Sequence, residues 1–555
     1  MALRPYPLRI LPLILVLFAA PSGATQTRDA DSSNWYQDQG IAFLQSHEFE
    51  TAIEQLRAAV EVNPSDFVAH DDLGIALAEL GRTTEAIAEF QKATQLSDTF
   101  AAAHFHLALA YDRTNQARRA ISEYEITLRL EPGNVNARYG LSAACWKIGD
   151  RDGAITLLQQ IVQQHPGFVA EAWYNLGIEL QEIGKLEQGA EALKSAIAAK
   201  PRYAAACVAL GQVETQQQKL DAALHDLKEG VEIDPENARY HFALGEALRL
   251  NRNLDEAVAE FQRALDLDPR MPHGHRQLGI AFRQQGKYNE AQKQLSEAVL
   301  NDPADDEAHY YLGSVLLSRN NVEDAVTELN QAVQLNAYDS ASHNALAAAF
   351  TKAGKTQEAQ EQRKEAEAIN DLKANAGKSR VLVGSAVEHL NGGDINAAIS
   401  QLRQATKLSP EYPEAQRQLA RALLREGSNK SEAIRVLRKA IELGPEDPQP
   451  HLALGLALER MGQKAEALSE LRRAAELAPS LIEAHRAIAQ AAMAAHDWTT
   501  VIAESTSILA WKPNDAEARR DLLAAQKQVH RTGSGKAQCE GTDGSGATPP
   551  IACKG

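Results

Sequence analysis

The chain has 555 residues, of which 44% are hydrophobic, 5% aromatic and 24% charged. A single hydrophobic core rarely serves more than about 250–300 residues, so this length excludes one compact domain. The formal net charge of −17 argues against a broad nucleic-acid-binding surface, because such a surface needs cations to neutralise phosphates. Low aromatic content also disfavours a β-sandwich or a propeller. The chain must bury its apolar residues in several cores or in one extended array.

The N-terminal residues have the pattern of an export signal. Two arginines precede a short apolar run over residues 10–20, and small residues that end at Ala24 supply a cleavage site. We therefore expect a signal peptide over 1–24 and a polar linker over 25–32. The protein would then be periplasmic or extracellular, with no stable membrane span after cleavage. An uncleaved N-terminal membrane anchor is the alternative.

Most of the remaining chain has a period of 34 residues. Such self-similarity is the signature of a repeat architecture, in which each unit buries its apolar face against its neighbours. The prolines that mark the ends of successive units are Pro64, Pro132, Pro166, Pro201, Pro235, Pro269, Pro303, Pro410, Pro445, Pro479 and Pro513.

The unit over residues 238–271 shows what one period encodes. Its first half has one apolar face with the i, i+3, i+4, i+7 spacing of a helix, and its second half has another. Asn251 to Asn253 form the predicted turn, and Asp268-Pro269 ends the second helix. The residues on the two faces are His241, Leu244, Gly245 and Leu248, and then Ala257, Phe261 and Ala264.

This pattern resembles the tetratricopeptide repeat, a helix–turn–helix unit of 34 residues. The resemblance is clear in the unit that carries Trp173, Leu176, Gly177, Leu193, Ala196 and Pro201. It implies an all-α fold, a right-handed superhelical solenoid of helix–turn–helix units. We count about fourteen repeats, ten over residues 33–371 and four over residues 379–515.

One longer step separates the two arrays. Residues from Lys355 to about Ala376 contain no Gly or Pro, which predicts an extended helix that ends at Gly377. We therefore place a junction at residues 372–378.

The chain beyond the second array has two predicted parts. Residues 516–531 are amphipathic and resemble the helix that caps such arrays. Residues 532–555 are rich in Gly, Ser and Thr and are expected to be a disordered tail. Cys539 and Cys553 in this tail could form a disulfide in an oxidising compartment.

Histidine recurs at one position of the repeat. Equivalent residues of adjacent repeats should lie about 10 Å apart, which is too far to share an ion, so we expect packing and no metal site. If these histidines are buried in the neutral form, acid should destabilise the fold. They are His70, His104, His241, His275, His309, His343, His451 and His485.

No catalytic motif accompanies the repeats. The sequence contains no complete phosphate-binding loop, no GxSxG and no HExxH, so we expect no enzymatic activity and no cofactor. The expected function is a scaffold that binds extended peptides or other proteins, and not nucleic acid. Two more specific roles stay open: a cell-envelope assembly or secretion factor, and a substrate-recruiting subunit of a transferase on another chain.

The resemblance implies that positions 2, 5, 9 and 12 of each first helix line a concave groove. Two sets of residues at or near these positions are candidates for peptide binding. The aromatic set could instead pack against neighbouring helices, and the arginines could be solvated or paired within the chain. The aromatic and apolar set is Phe105, Tyr139, Trp146, Tyr174 and Ile178. The arginine-rich set is Arg239, Phe242, Arg249, His273, Arg276 and Arg283.

Overall fold

A computed structural model describes the backbone of residues 28–164 and 169–539. All regular secondary structure in these ranges is helical, and the helices follow one another in packed pairs. This confirms the all-α solenoid of helix–turn–helix units. None of the described helices is long and apolar enough to cross a bilayer.

The first fourteen helices have these bounds: α1 Arg28–Gln45, α2 Phe49–Val62, α3 Phe67–Glu79, α4 Thr83–Leu96, α5 Ala101–Arg113, α6 Ala117–Leu130, α7 Val135–Ile148, α8 Arg151–Gln164, α9 Val169–Glu182, α10 Leu186–Ala199, α11 Ala204–Gln216, α12 Leu220–Ile233, α13 Ala238–Leu250 and α14 Leu254–Leu267. The next fourteen are α15 Gly274–Gln284, α16 Tyr288–Asn301, α17 Asp306–Ser318, α18 Val322–Leu335, α19 Ser340–Lys352, α20 Thr356–Gly392, α21 Ile395–Leu408, α22 Pro413–Glu426, α23 Lys430–Leu443, α24 Pro448–Arg460, α25 Lys464–Leu477, α26 Ile482–Ala494, α27 Trp498–Trp511 and α28 Ala516–Cys539.

The pair α13 and α14 shows how one repeat is built. The buried residues of α13 face Ala257, Phe261 and Ala264 of α14 across a close crossing. A Cβ atom at Gly245 would lie 2.8 Å from Cδ1 of Phe261, so only glycine fits this contact. Arg252 has a φ of 66° in the turn, and the backbone N–H of Asn253 donates to the carbonyl of Leu248 at 2.9 Å. The predicted turn and both predicted helices are confirmed for this repeat.

The chain divides into two compact units. We call residues 158–429 the middle unit, and residues 28–157 together with 430–539 the terminal unit. Each is described by itself below.

The terminal unit contains direct contacts between helices that lie far apart in sequence. Glu125 on α6 is buried, and its carboxylate accepts hydrogen bonds from the Ser507 hydroxyl at 2.9 Å and from Nε1 of Trp511 at 3.1 Å. Asp150 accepts hydrogen bonds from the backbone N–H of Ser480 at 2.9 Å and from its hydroxyl at 2.8 Å. Burial raises the pKa of both carboxyl groups despite these donors. The period of the sequence contains no information on these long-range pairs.

In the middle unit, the structure has a continuous helix, α20, where the sequence predicts a junction at residues 372–378. It has 37 residues and runs through residues 372–378, packing against both α19 and α21. Gly377 does not end the helix, because one glycine costs only about 1 kcal/mol relative to alanine when good helix formers flank it. The helix ends at a glycine pair, where Gly393 has a φ of 85°. The second helix of one repeat and the first helix of the next are therefore one continuous element.

Two other boundaries in the structure also differ from the predicted ones. Helix α1 begins at Arg28, so the end of the polar linker predicted over 25–32 is helical. Helix α28 extends to Cys539, so residues 532–539 of the predicted disordered tail are helical too. Both extensions add turns to an existing helix, which is cheaper than nucleating a new one, and neither segment contains proline. The predicted signal peptide over 1–24, Cys553 and the rest of the tail lie outside the described residues, so the disulfide stays a prediction.

Candidate functional site

The recurring histidines tie the two helices of a repeat together. In six repeats Nδ1 lies 2.6 Å from a glutamate carboxylate 19 residues later, and in two repeats the partner is a glutamine. In seven of these eight repeats Nε2 of the histidine also faces the backbone carbonyl six residues earlier, at distances from 2.9 to 3.4 Å. A neutral imidazole can donate to only one of two acceptors, whereas the imidazolium can donate to both.

One member of this set, His485, has a shifted pKa that bears on the conditional prediction of acid sensitivity. Burial alone would lower the pKa of His485, but the hydrogen bond to Glu504 and its charge outweigh burial and raise that pKa. A raised pKa means that the folded state favours the charged ring, so the contribution of His485 to stability is present in acid and lost in base. The raised pKa of His485 therefore does not favour the buried neutral ring on which acid destabilisation would depend.

In the terminal unit, the candidate groove residues are partly engaged within the fold. Phe105 packs against the buried core, with its ring centroid 6.1 Å from that of Tyr124. The guanidinium carbon of Arg151 lies 3.3 Å from the centroid of the Trp146 ring and covers one of its faces. Tyr139 is half-buried. Trp146 and Tyr139 thus keep some accessible surface, while Phe105 serves mainly in packing.

In the middle unit, the remaining two members of the aromatic set lie against one small core. Ile178 is 8% exposed and packs with Leu193 and Leu210, and Tyr174 packs against the same cluster. The Tyr174 ring centroid is 5.3 Å from that of Tyr203. Packing therefore accounts for Ile178, and Tyr174 lies at the edge of the cluster. The five residues of the set are divided between the two units.

Part of the arginine-rich set is paired within the middle unit. Nη1 of Arg276 lies 2.6 Å from Oδ1 of Asp305 and 3.3 Å from the carboxylate of Glu307, and Nδ1 of His273 lies 3.4 Å from Oδ2 of Asp305. Asp305 also accepts from the backbone N–H of Ala308 at the start of α17. Burial would raise the pKa of Asp305, but these donors and cations lower it. Arg276 and His273 are therefore structural links between successive repeats.

Two other arginines of the set converge on a tyrosine that the sequence search missed. The guanidinium carbon of Arg283 lies 5.7 Å from the centroid of the Tyr311 ring. Burial and the charge of Glu307 raise the pKa of Tyr311, and the smaller effects of the Arg249 and Arg283 charges oppose that rise. Nε of Arg249 is buried and has no hydrogen-bond partner among the described residues. We call Arg249, Arg283 and Tyr311 the cationic face of helices α13, α15 and α17.

The other two members of the arginine-rich set flank this face. Phe242 packs its ring 5.7 Å from that of Phe261 and is thus part of the repeat core, while Arg239 is exposed at the start of α13. Tyr311 adjoins Tyr310 at groove position 5, with ring centroids 5.0 Å apart. A search of positions 2, 5, 9 and 12 alone could not find Tyr311, because it occupies position 6.

Comparison with known proteins agrees with the repeat architecture. The tetratricopeptide repeat model matches residues 38–99, 105–167, 174–235, 208–272, 276–341, 384–448 and 426–482, which together make up more than half of the chain. No curated protein sequence matches significantly.

Solved structures with similar folds are remote in sequence. A hetero-tetramer of the APC/C, Cut9–Hcn1, is 14% identical over 90% of this chain and 96% of its own, with a TM-score of 0.37. Yeast Tom70 is 15% identical over 79% of this chain and 97% of its own, with a TM-score of 0.32. A tetratricopeptide repeat protein from Parabacteroides merdae is 16% identical over 45% of this chain and 99% of its own, with a TM-score of 0.37. On the extent of the family match, the chain belongs to the tetratricopeptide repeat family.

Proposed function

We propose that this chain is a non-enzymatic scaffold that binds extended peptides or partner proteins. Proteins of the tetratricopeptide repeat family typically bind other proteins. The observation that carries the proposal for this chain is the cationic face, which three successive first helices build from Arg249, Arg283 and Tyr311. Such a face can follow an extended ligand from one repeat to the next.

The chemistry of this face favours an acidic ligand. Guanidinium groups donate in a planar fork that matches a carboxylate, and hydrogen bonds to charged groups are shorter and stronger than neutral ones. We therefore propose that the ligand presents Asp or Glu side chains to α13 and α15, with Tyr311 as the neighbouring ring.

The proposal is tested with a short synthetic peptide that alternates Glu with Ala and carries an amidated C-terminus. We expect its fluorescence anisotropy to rise on titration with the full chain, and its affinity to fall as salt is added. Arg249→Gln with Arg283→Gln should weaken binding by about tenfold or more, since each charged hydrogen bond is worth roughly 1.5–3 kcal/mol.

The matched control is Arg252→Gln, which removes an exposed arginine from the turn of the same repeat. The control should bind like the wild type. The proposed ligand chemistry would be contradicted if the wild type bound a Gln-Ala peptide as tightly as the Glu-Ala peptide. It would also be contradicted if the double variant bound the Glu-Ala peptide as tightly as the wild type.

The setting of the scaffold is a separate proposal. The predicted signal over residues 1–24 leads us to propose export to the periplasm or beyond, which makes a role in cell-envelope assembly or secretion a natural one. N-terminal sequencing of protein recovered from the envelope fraction tests it. An intact Met1 there would contradict cleavage, and recovery from the cytosol alone would contradict export. A subunit that recruits substrates to a transferase is the alternative role, and co-purification with a catalytic chain would favour it.

A further inference from the structure

Helix α6 of the terminal unit buries an acid at a position that other repeats leave exposed. The equivalent residues in two other second helices, Arg57 and Lys228, are exposed, whereas Glu125 is only 7% exposed. Helix α27 covers Glu125, and its Ser507 and Trp511 donate to the carboxylate. The burial of this acid therefore comes from the long-range contact between α6 and α27 and not from the packing of its own repeat.

Trp511 anchors this contact with its ring as well as with its Nε1 donor. The side chain is 4% exposed and belongs to the same buried cluster as Ala154 and Leu157 of α8. A second polar contact lies at the start of α8, where Asp150 accepts hydrogen bonds from the backbone and the hydroxyl of Ser480. The contact thus combines one aromatic anchor with two buried carboxyl groups.

Charged side chains from four helices line a cavity beside the contact, which has a volume of about 340 Å³. Glu125 of α6, His485 of α26 and Glu504 of α27 lie in its wall, and Nδ1 of His485 is 2.6 Å from the Glu504 carboxylate. Because other lining residues are exposed, the cavity connects these groups with solvent. The exposed charged residues of the lining are Arg118 of α6 and Arg472 and Glu476 of α25.

The balance of charge around Glu125 depends on pH. Burial raises the pKa of Glu125, the charge of His485 and the hydrogen bonds from α27 oppose that rise, and the charge of Glu504 adds to it. While His485 is charged, its imidazolium attracts both carboxyl groups. Once His485 loses its proton, the carboxylates of Glu125 and Glu504 repel each other across the contact without that cation.

Asp150 responds to pH in the same direction. Burial raises its pKa and the charge of Asp152 adds to that rise, although Ser480 and the backbone N–H of Gly153 donate to it. An acid whose pKa is higher in the closed contact than in water strengthens the contact below its ordinary pKa, and this contribution is lost as the pH rises through the raised value. Asp150 and Glu125 therefore both favour the closed contact in acid.

We propose that the contact of α6 and the start of α8 with α26 and α27 is a pH-sensitive clasp, which is closed in mildly acidic solution and opens as the pH rises. Glu125 and Asp150 are the groups that respond to pH, and Trp511 is the anchor that leaves its cluster on opening. The clasp does not rest on the proposed peptide binding, because it uses no residue of the cationic face.

The test is Förster transfer between two pH-insensitive dyes, attached to non-natural residues that replace Lys92 of α4 and Ala503 of α27 in the full chain. Both positions are exposed and neither lines the cavity. Transfer should fall reversibly between pH 5.5 and pH 8.5, because the ratio of closed to open molecules changes by up to about tenfold per pH unit for each proton released. A dye pair at Arg435 and Ala503, which both lie on one side of the clasp, should show no change.

A double variant separates the clasp from general effects of pH. Glu125→Gln with Asp150→Asn removes both titrating groups and keeps side chains of the same size that still accept hydrogen bonds, so transfer should stay high up to pH 8.5. The matched control Glu483→Gln removes an exposed acid from α26 and should behave like the wild type. Transfer that does not change with pH in the wild type, or a fall of the same size in the double variant, would overturn the proposal.

Discussion

The close crossing at Gly245 offers a quantitative test of how each repeat is packed. Replacing Gly245 by alanine would place Cβ at 2.8 Å from both Cδ1 and Cε1 of Phe261 and 3.2 Å from its Cγ. Phe261 is fully buried, so its ring cannot move away without displacing other core residues. Overpacking of this kind costs about 1–3 kcal/mol. Alanine also gains about 1 kcal/mol in helix propensity over glycine, which partly offsets that cost.

The matched variant is Gly384→Ala in helix α20 of the same unit. A Cβ at Gly384 has no atom within 4 Å, so only the gain in propensity applies. Because that gain is common to both variants, the difference between them isolates the overpacking cost of about 1–3 kcal/mol, or about 5- to 150-fold in local opening.

Hydrogen exchange followed by mass spectrometry is the suitable assay, because long repeat arrays do not unfold as a single two-state unit. Peptides from α13 and α14 should exchange faster in Gly245→Ala, and peptides from α20 should exchange more slowly in Gly384→Ala. If Gly245→Ala slowed exchange in α13 and α14 as much as Gly384→Ala slows it in α20, the close crossing would not be a steric constraint.

Two further predictions concern titration and helix continuity. The first is His485→Gln, which introduces the residue type that Gln416 supplies at this position in another repeat. The variant should be less stable than the wild type near pH 5.5, and this difference in stability should shrink towards about pH 9. The reason is that the raised pKa of His485 favours folding only while the ring is charged. Chemical denaturation at several pH values measures this, and a constant gap would contradict a charged ring. Gly377→Pro should break α20 at a cost of about 3 kcal/mol or more and open a new site for limited proteolysis, whereas Gly377→Ala should not. If proline were tolerated without new cleavage, a helix end at Gly377 would be correct after all.

The sequence predicts the repeats well because their signals are local. The spacing of Gly245, Ala257 and Phe261, with Pro269 at the end, is sufficient to place two helices and the turn between them. Gly377 misled the boundary prediction because the sequence does not show whether flanking helix formers and packing on two neighbours outweigh one glycine.

The candidate site was harder to predict because its contacts cross between repeats. Arg276 has the right residue type and position for a groove, but Asp305 and Glu307 of the next repeat pair with it. Tyr311 was missed for the converse reason, since its position in its own helix does not reveal that Arg249 and Arg283 approach it.

The central claim, a peptide-binding scaffold with an acidic ligand at α13, α15 and α17, is tested most directly by photocrosslinking. A benzoylphenylalanine at Tyr310 lies beside the cationic face, and the same group at Tyr338 lies in an exposed turn and serves as the control. We predict a defined crosslinked partner at Tyr310 that is absent at Tyr338, competed by the Glu-Ala peptide and lost in Arg249→Gln with Arg283→Gln. The same crosslinked proteins from both positions, insensitive to the peptide and to the arginine substitutions, would contradict the claim.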